Sequence, residues 1–335
     1  MNKPDFNNFM FRNLHPNIRI GTASDRYAGW IGQIYTPGKY EITVRSHKVG
    51  KKSFKEEVLP VESVVEYFEH FSVLEIDFTF YRPLLNRKLE PTTSYRVLQS
   101  YDKYLKESDS IILKVPQVIF AQKLWQAGKQ IENENYLNAE MFINQFYDPA
   151  NAILGENLSG IIFEQEYLRK ADRVPPDRYV NDLDAFITSL PGDNRYHIET
   201  RTEYYHTHEY FDMLFRHGVG HVLSHWTWLP PLRKQFIKSG KRFYNKGKNA
   251  VLRLLTPPKM RYNDSYERTF PFDKKVEELV NPDTIPETVE IVKAGTKAGV
   301  CMNIILNNRC TGSAPLMSKE LSEKLCSTLG VPLAS

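Results

Sequence analysis

The chain has 335 residues, of which 41% are hydrophobic, 25% charged and 13% aromatic. That is globular composition with enough apolar residues for a sizeable core, and it excludes a disordered, collagen-like or disulfide-scaffold protein. With 44 Lys+Arg against 40 Asp+Glu the net charge is +4, a lean toward anionic partners without the strong bias of a nucleic-acid coat.

Read in chain order, eight β-rich runs stand out, at 18–23, 73–81, 111–116, 160–165, 196–201, 220–226, 250–256 and 301–308. Helical patterns fill most of the gaps. Val64, Val65, Phe68 and Phe71 recur at helical spacing, as do Val97, Leu98, Tyr101 and Leu105. Further helical stretches lie at 182–190, 207–217 and 286–298, and a final helix holds Cys326. Strand and helix alternating eight times predict a (β/α)8 TIM barrel of class α/β. No Gly-x-Gly-x-x-Gly follows the first strand, which argues against a dinucleotide-binding doubly wound sheet. One barrel domain over 1–335 is expected, enlarged by insertions at about 39–57, 233–248 and 257–285. The first two insertions are rich in Lys and Arg.

Cys301, Cys310 and Cys326 have no paired spacing, which suits a reducing compartment. The first ten residues are polar, and nowhere do about 18 apolar residues run together. A cytoplasmic protein without membrane contact is expected; its oligomeric state is not readable.

The second strand carries the strongest functional signal. Period two puts Leu74, Ile76, Phe78 and Phe80 on one face and Glu75, Asp77, Thr79 and Tyr81 on the other. The apolar face must meet the helices, so the polar set is predicted to point into the lumen. Lys114, Glu164, Glu199, Arg201 and Arg253 fall late in other strands, and the last strand ends in Asn307-Asn308. Four acids thus face three bases where burial of an unpaired charge costs several kcal/mol. They either pair into a plug or line a site, since barrels place their chemistry at the C-terminal ends of the strands.

These residues resemble the YecE-like family, also called domain of unknown function seventy-two, over nearly the whole chain. The family's Gly-Thr-Ser-Gly-Trp stretch and Tyr-Pro are similar to Gly21-Thr22-Ala23-Ser24, Gly29-Trp30 and Tyr35-Thr36-Pro37. Its His-Phe-x-x-Val-Glu-Ile-Asn-x-Thr-Phe-Tyr resembles the run from His70 to Tyr81, its Val-Lys-Ala-Pro the run Leu113-Lys114-Val115-Pro116, and its Glu-Phe-Arg the run Glu199-Thr200-Arg201. Arg253-Leu254 keeps half of an Arg-Leu-His-Gly motif. Asn307-Asn308 and Gly312-Ser313-Ala314-Pro315 match the closing motifs. Glu164 replaces a family Gln, the His-Gly after Leu254 is gone, and Arg309 stands where an Asp is usual. The resemblance implies a barrel related to the xylose-isomerase and endonuclease-four type and implies no known activity. Hydrolase or isomerase-like lyase chemistry follows by fold analogy only.

The cations suggest a small anionic ligand, sugar-like or phosphorylated: Lys114 as a point charge, Arg201 and Arg253 as forks. Glu75 or Glu199 is the candidate acid/base with Lys114 beside it. Asp77, Tyr81, Glu164, Arg201, His225, Arg253, Asn307 and Asn308 are candidate substrate contacts. No cofactor is called for. A divalent metal on the four acids competes with the three cations in the same space. His206-Thr207-His208 reads as a surface pair at a helix start, and only Cys310, beside Arg309, has the position for a nucleophile. The rival readings are nucleic-acid binding by the basic insertions, with Phe236, Phe243 and Tyr244 stacking bases, and a non-catalytic member that kept only the fold.

Overall fold

In a computed structural model, residues 4–126 and 129–331 are described. Residues 1–3, 127, 128 and 332–335 of the predicted 1–335 span lie outside them. Eight parallel strands form the central sheet: β1 Ile18–Ala23, β2 Val73–Ile76, β3 Ser110–Lys114, β4 Leu158–Glu164, β5 Tyr196–Glu199, β6 in two pieces (Gly220–His221 and Leu223–His225), β7 Asn249–Leu254 and β8 Cys301–Leu306. Each pairs with its neighbours in sequence, and β1 pairs with β8 from Ile18↔Met302 to Thr22↔Leu306. The ring closes through β6. Its first piece pairs with β5, its second with β7, and the Val222 N–H between them donates to the Ile198 carbonyl at 2.9 Å.

A helix follows every strand: α1 Val64–His70, α2 Thr93–Asp102, α3 Asp148–Leu154, α4 Pro176–Thr188, α5 His208–His217, α6 Leu232–Lys238, α7 Thr284–Lys297 and α8 Ala314–Leu329. Local chemistry sets several ends. The Thr92 and Thr207 hydroxyls accept from the N–H of Tyr95 and Tyr210, satisfying donors that a helix start leaves free. Gly218 ends α5 at φ 68°, a left-handed conformation that costs glycine nothing. The outward strand faces and inward helix faces form the main core, with Leu74, Leu113, Phe163, Ile198, Leu252 and Ile304 from the strands.

The lumen is built by the two-residue period of the strands. One layer is apolar: Ala23, Val73, Ile112, Ile162, Val222, Val251 and Ile305. Two residues further along come Glu75, Lys114, Glu164, Ser224, Arg253 and Asn307, so six of the strands switch from apolar to polar between one layer and the next. Gly220 belongs to the same inner surface, where a Cβ would lie 2.2 Å from the His197 ring.

One expectation is corrected. The second strand stops at Ile76, and Phe78–Tyr81 is one helical turn. Period two therefore no longer applies, and Phe80 turns toward the lumen side, under the Lys114 ammonium at 4.1 Å from its ring centre. The insertions carry regular structure of their own. Residues 39–57 supply most of an antiparallel hairpin, Thr43–Val49 with Lys52–Val58; 233–248 begins inside α6; and 257–285 carries the helix Tyr262–Thr269, against which the hairpin packs. Lys123–Gln126 and Lys129–Glu132 form a further antiparallel strand pair.

Candidate functional site

The polar layer is an ion lattice centred on Arg253, which is 3% exposed. Its Nε and Nη2 donate to the two oxygens of Glu75, at 2.7 and 2.5 Å, a bidentate fork. Its Nη1 donates to Glu164 at 2.8 Å and to Glu199. Glu164 also takes Lys114 at 2.7 Å and Arg201 at 2.7 Å, while Arg201 Nη1 lies 3.2 Å from Glu199. The Ser224 hydroxyl donates to Glu199. Three carboxylates face three cations, so the formal charges cancel. Burial pushes Glu164 up, but Arg201, Lys114 and Arg253 together overcome it and hold the carboxyl well below the usual carboxylate range. The guanidinium of Arg253 fills the point where the carboxylates converge. Among the described residues no cluster of His, Cys, Asp and Glu suited to a metal ion occurs.

Above the lattice opens a cavity of about 210 Å³ at the C-terminal ends of the strands. The lattice members Glu75, Lys114, Glu164, Arg201 and Arg253 form its floor; Asp77, Tyr81 and Asn307 stand on its walls. The predicted residues it does not gather are Glu199, His225 and Asn308. Glu199 is fully buried beneath the floor. His225 follows Leu223 onto the outer face of β6, because Ser224 takes the inward position, and burial lowers its pKa to about 4. Asn308 is structural: its side-chain oxygen accepts from Trp30 Nε1 at 3.1 Å and from the Ala314 N–H at 2.9 Å, joining the first βα loop to α8.

The cavity also draws on residues that the sequence reading passed over: Phe80, Gln165, Glu166, Tyr167, Trp226, Tyr262 and Arg309. Tyr167 and Trp226 stand 6.0 Å apart, and Arg201 lies 4.7 Å over the Trp226 ring. Gln165 is 1% exposed; its oxygen accepts from the Arg201 N–H at 3.3 Å, which leaves its Nε2 without a partner. Glu166 accepts the Lys123 N–H on one oxygen at 2.9 Å, and its other oxygen is buried without a partner. Burial pushes this carboxyl up to about 7 against that backbone hydrogen bond. The sequence signal existed, as Glu164-Gln165-Glu166 ends a barrel strand, but strand alternation pointed only to its first member.

Other candidates resolve differently. His206 is 2% exposed rather than at the surface, its Nε2 2.6 Å from the Thr200 hydroxyl, whereas His208 is exposed beside Asp212. Cys310 is buried, which pushes its thiol up to about 12, the reverse of an activated nucleophile. Phe236 is buried against Phe243, and Tyr244 stacks on Phe211, so these rings are engaged within the fold. Several insertion cations are paired: Lys39 with Glu66, Lys52 with Glu267, Arg233 with Glu290, and Lys238 with Glu203. Among the described residues no helix is long and apolar enough to cross a membrane.

Comparison with known proteins agrees with this architecture. A DUF72 family protein of Thermotoga maritima superposes with a TM-score of 0.55 at 17% identity, covering 92% of this chain and 99% of that one. A DUF72 family protein of Enterococcus faecalis gives 0.55 at 14% identity, covering 95% and 97%. At such identities the likeness speaks for the fold alone. No curated protein matches the chain. The family described as "Protein of unknown function DUF72" matches residues 19–332, and with nearly the whole chain inside that match, this protein belongs to the DUF72 family of TIM-barrel proteins.

Proposed function

We propose that the cavity binds a small, oxygen-rich anionic molecule of the sugar or sugar-phosphate class and moves a proton on it. The supporting observation is that three residues lining it, Gln165, Glu166 and Arg309, each hold a buried polar atom without a partner: Gln165 Nε2, Arg309 Nε and one oxygen of Glu166. Buried polar atoms in folded proteins nearly always have a partner, and an unmet one costs about 1–3 kcal/mol. Two donors and one acceptor on residues that line one cavity suit a ligand rich in acceptors that carries a transferable proton. Lys114 and Arg201 contribute the floor, and Tyr167 and Trp226, inclined at 53° to each other, an aromatic wall that a ring can rest against.

The acid/base role passes from Glu75 and Glu199, both held by Arg253, to Glu166. Its neighbour Glu164 is kept ionised while Glu166 titrates near neutrality. Environments that drive two nearby carboxyls apart in this way are a recurrent mark of acid/base division of labour. A proton held on Glu166 at neutral pH can be given to a leaving or carbonyl oxygen, and the ionised form can take one back. A cytoplasmic setting, where phosphorylated sugars are abundant, suits this reading.

Calorimetric titration of the purified protein with ribose 5-phosphate, ribose and inorganic phosphate tests it. Saturable binding that Glu166→Gln or Gln165→Ala alters is expected; absence of binding for all three at millimolar concentration would sink the reading.

A further inference from the structure

Of all the cations in the cavity, Arg309 differs in kind. Lys114, Arg201 and Arg253 each sit within 2.8 Å of a carboxylate oxygen. An anion approaching them meets Glu75, Glu164 and Glu199 as well, so the floor offers donors but little net attraction. Among the described residues Arg309 makes no ion pair. No hydrogen bond from its guanidinium occurs, and its Nε is buried without a partner. The guanidinium lies 4.5 Å over the Tyr262 ring, which fixes its plane while leaving its edge free to fork.

Its backbone is held from both sides. The Asn307 side-chain oxygen accepts the Arg309 N–H at 3.0 Å, and the Ser265 hydroxyl donates to the Arg309 carbonyl at 2.7 Å. The first bond also orients Asn307, so that its amide NH2 is the end left to the cavity that both residues line. A pre-oriented, uncompensated guanidinium beside a spare amide donor, in the loop after the last barrel strand, is a receptor for an oxyanion. Asp77, also on the lining, makes no ion pair with Arg309 and disfavours an anion that spreads toward β2.

We infer that Arg309, with Asn307, is the anion-recognition residue of this cavity, and that it takes the phosphoryl group of a sugar monophosphate whose ring rests on Trp226 and Tyr167. This rests on the sugar-phosphate reading above and assigns its orientation: phosphoryl group at β8 and the helix Tyr262–Thr269, sugar hydroxyls toward Gln165 and Glu166 across the mouth.

Titration at low ionic strength with inorganic phosphate, ribose 5-phosphate and uncharged ribose separates the two claims. Arg309→Ala is expected to weaken ribose 5-phosphate by about 10- to 100-fold, the loss of a charge-assisted fork, and Arg309→Lys to recover only part of it. Ribose affinity should not change. Lys297→Met, which removes an exposed cation at the end of α7 that does not line the cavity, should leave ribose 5-phosphate affinity unchanged. Unchanged phosphate affinity in Arg309→Ala would overturn the inference and leave the sugar-phosphate reading standing. Absence of binding by the parent protein would overturn both.

Discussion

The floor and the mouth of this barrel are built from the same kinds of side chain and are opposite in state. On the floor every carboxylate has a cation: Arg253 is shared by Glu75, Glu164 and Glu199, and Lys114 and Arg201 complete the set. At the mouth, one residue or one loop further out, Gln165, Glu166 and Arg309 each carry a buried polar atom with no partner. The difference separates two uses of charge in a barrel. A lattice whose formal charges cancel and whose hydrogen bonds are met specifies the interior and leaves little for a ligand. An incomplete set of donors and acceptors beside open volume is where a ligand has something to complete.

The largest test of that contrast removes the hub. Arg253→Met leaves three carboxylates with fewer partners in a buried layer, and a loss of about 3–5 kcal/mol in urea unfolding at pH 7 is expected. A loss below about 1 kcal/mol would mean that the lattice is not structural. Glu166 should behave in the opposite sense. Its neutral form is favoured by folding, so its stabilising contribution is complete below the ordinary value of 4.5 and is lost as pH rises through about 7. Glu166→Gln should therefore stabilise the protein by about 3 kcal/mol at pH 8 and by nothing near pH 4, read from unfolding curves across that range. A pH-independent difference would contradict the burial argument.

Two smaller effects sharpen the boundary. Asn308→Ala strips an acceptor from Trp30 Nε1 and the Ala314 N–H and should cost about 2 kcal/mol, with ribose 5-phosphate affinity unchanged; a change in affinity alone would return Asn308 to the site. Lys114→Met should cost only about 1 kcal/mol in urea unfolding, because Glu164 keeps two guanidinium partners. A cost comparable with that of Arg253→Met would make Lys114, not Arg253, the hub.

The strand order was legible because each barrel strand is a short apolar run with a polar end. Six of the eight strands, β2 and the interrupted β6 being the others, lie within two residues of expectation at both ends. The floor was legible for the same reason: alternation named Glu75, Lys114, Glu164, Glu199 and Arg253 before any contact was known. The mouth was not. Glu166, Tyr262 and Arg309 lie beyond strand ends, where period two stops carrying information and the loop path decides direction. His225 lies one step off the inward set, since alternation through Val222 leaves Ser224, not His225, facing Glu199. Asn308 failed because a loop amide is as useful to a helix start as to a substrate, and here α8 takes it.

The central claim is that the floor is finished and the mouth is not. A crystal structure of the protein with ribose 5-phosphate tests it most directly. The account predicts density at the mouth, hydrogen-bonded to Gln165, Glu166 and Arg309, with Arg253 still bound to Glu75, Glu164 and Glu199. A ligand seated on Arg253 or Lys114 with Glu164 displaced, or an empty mouth at saturating concentration, would contradict it.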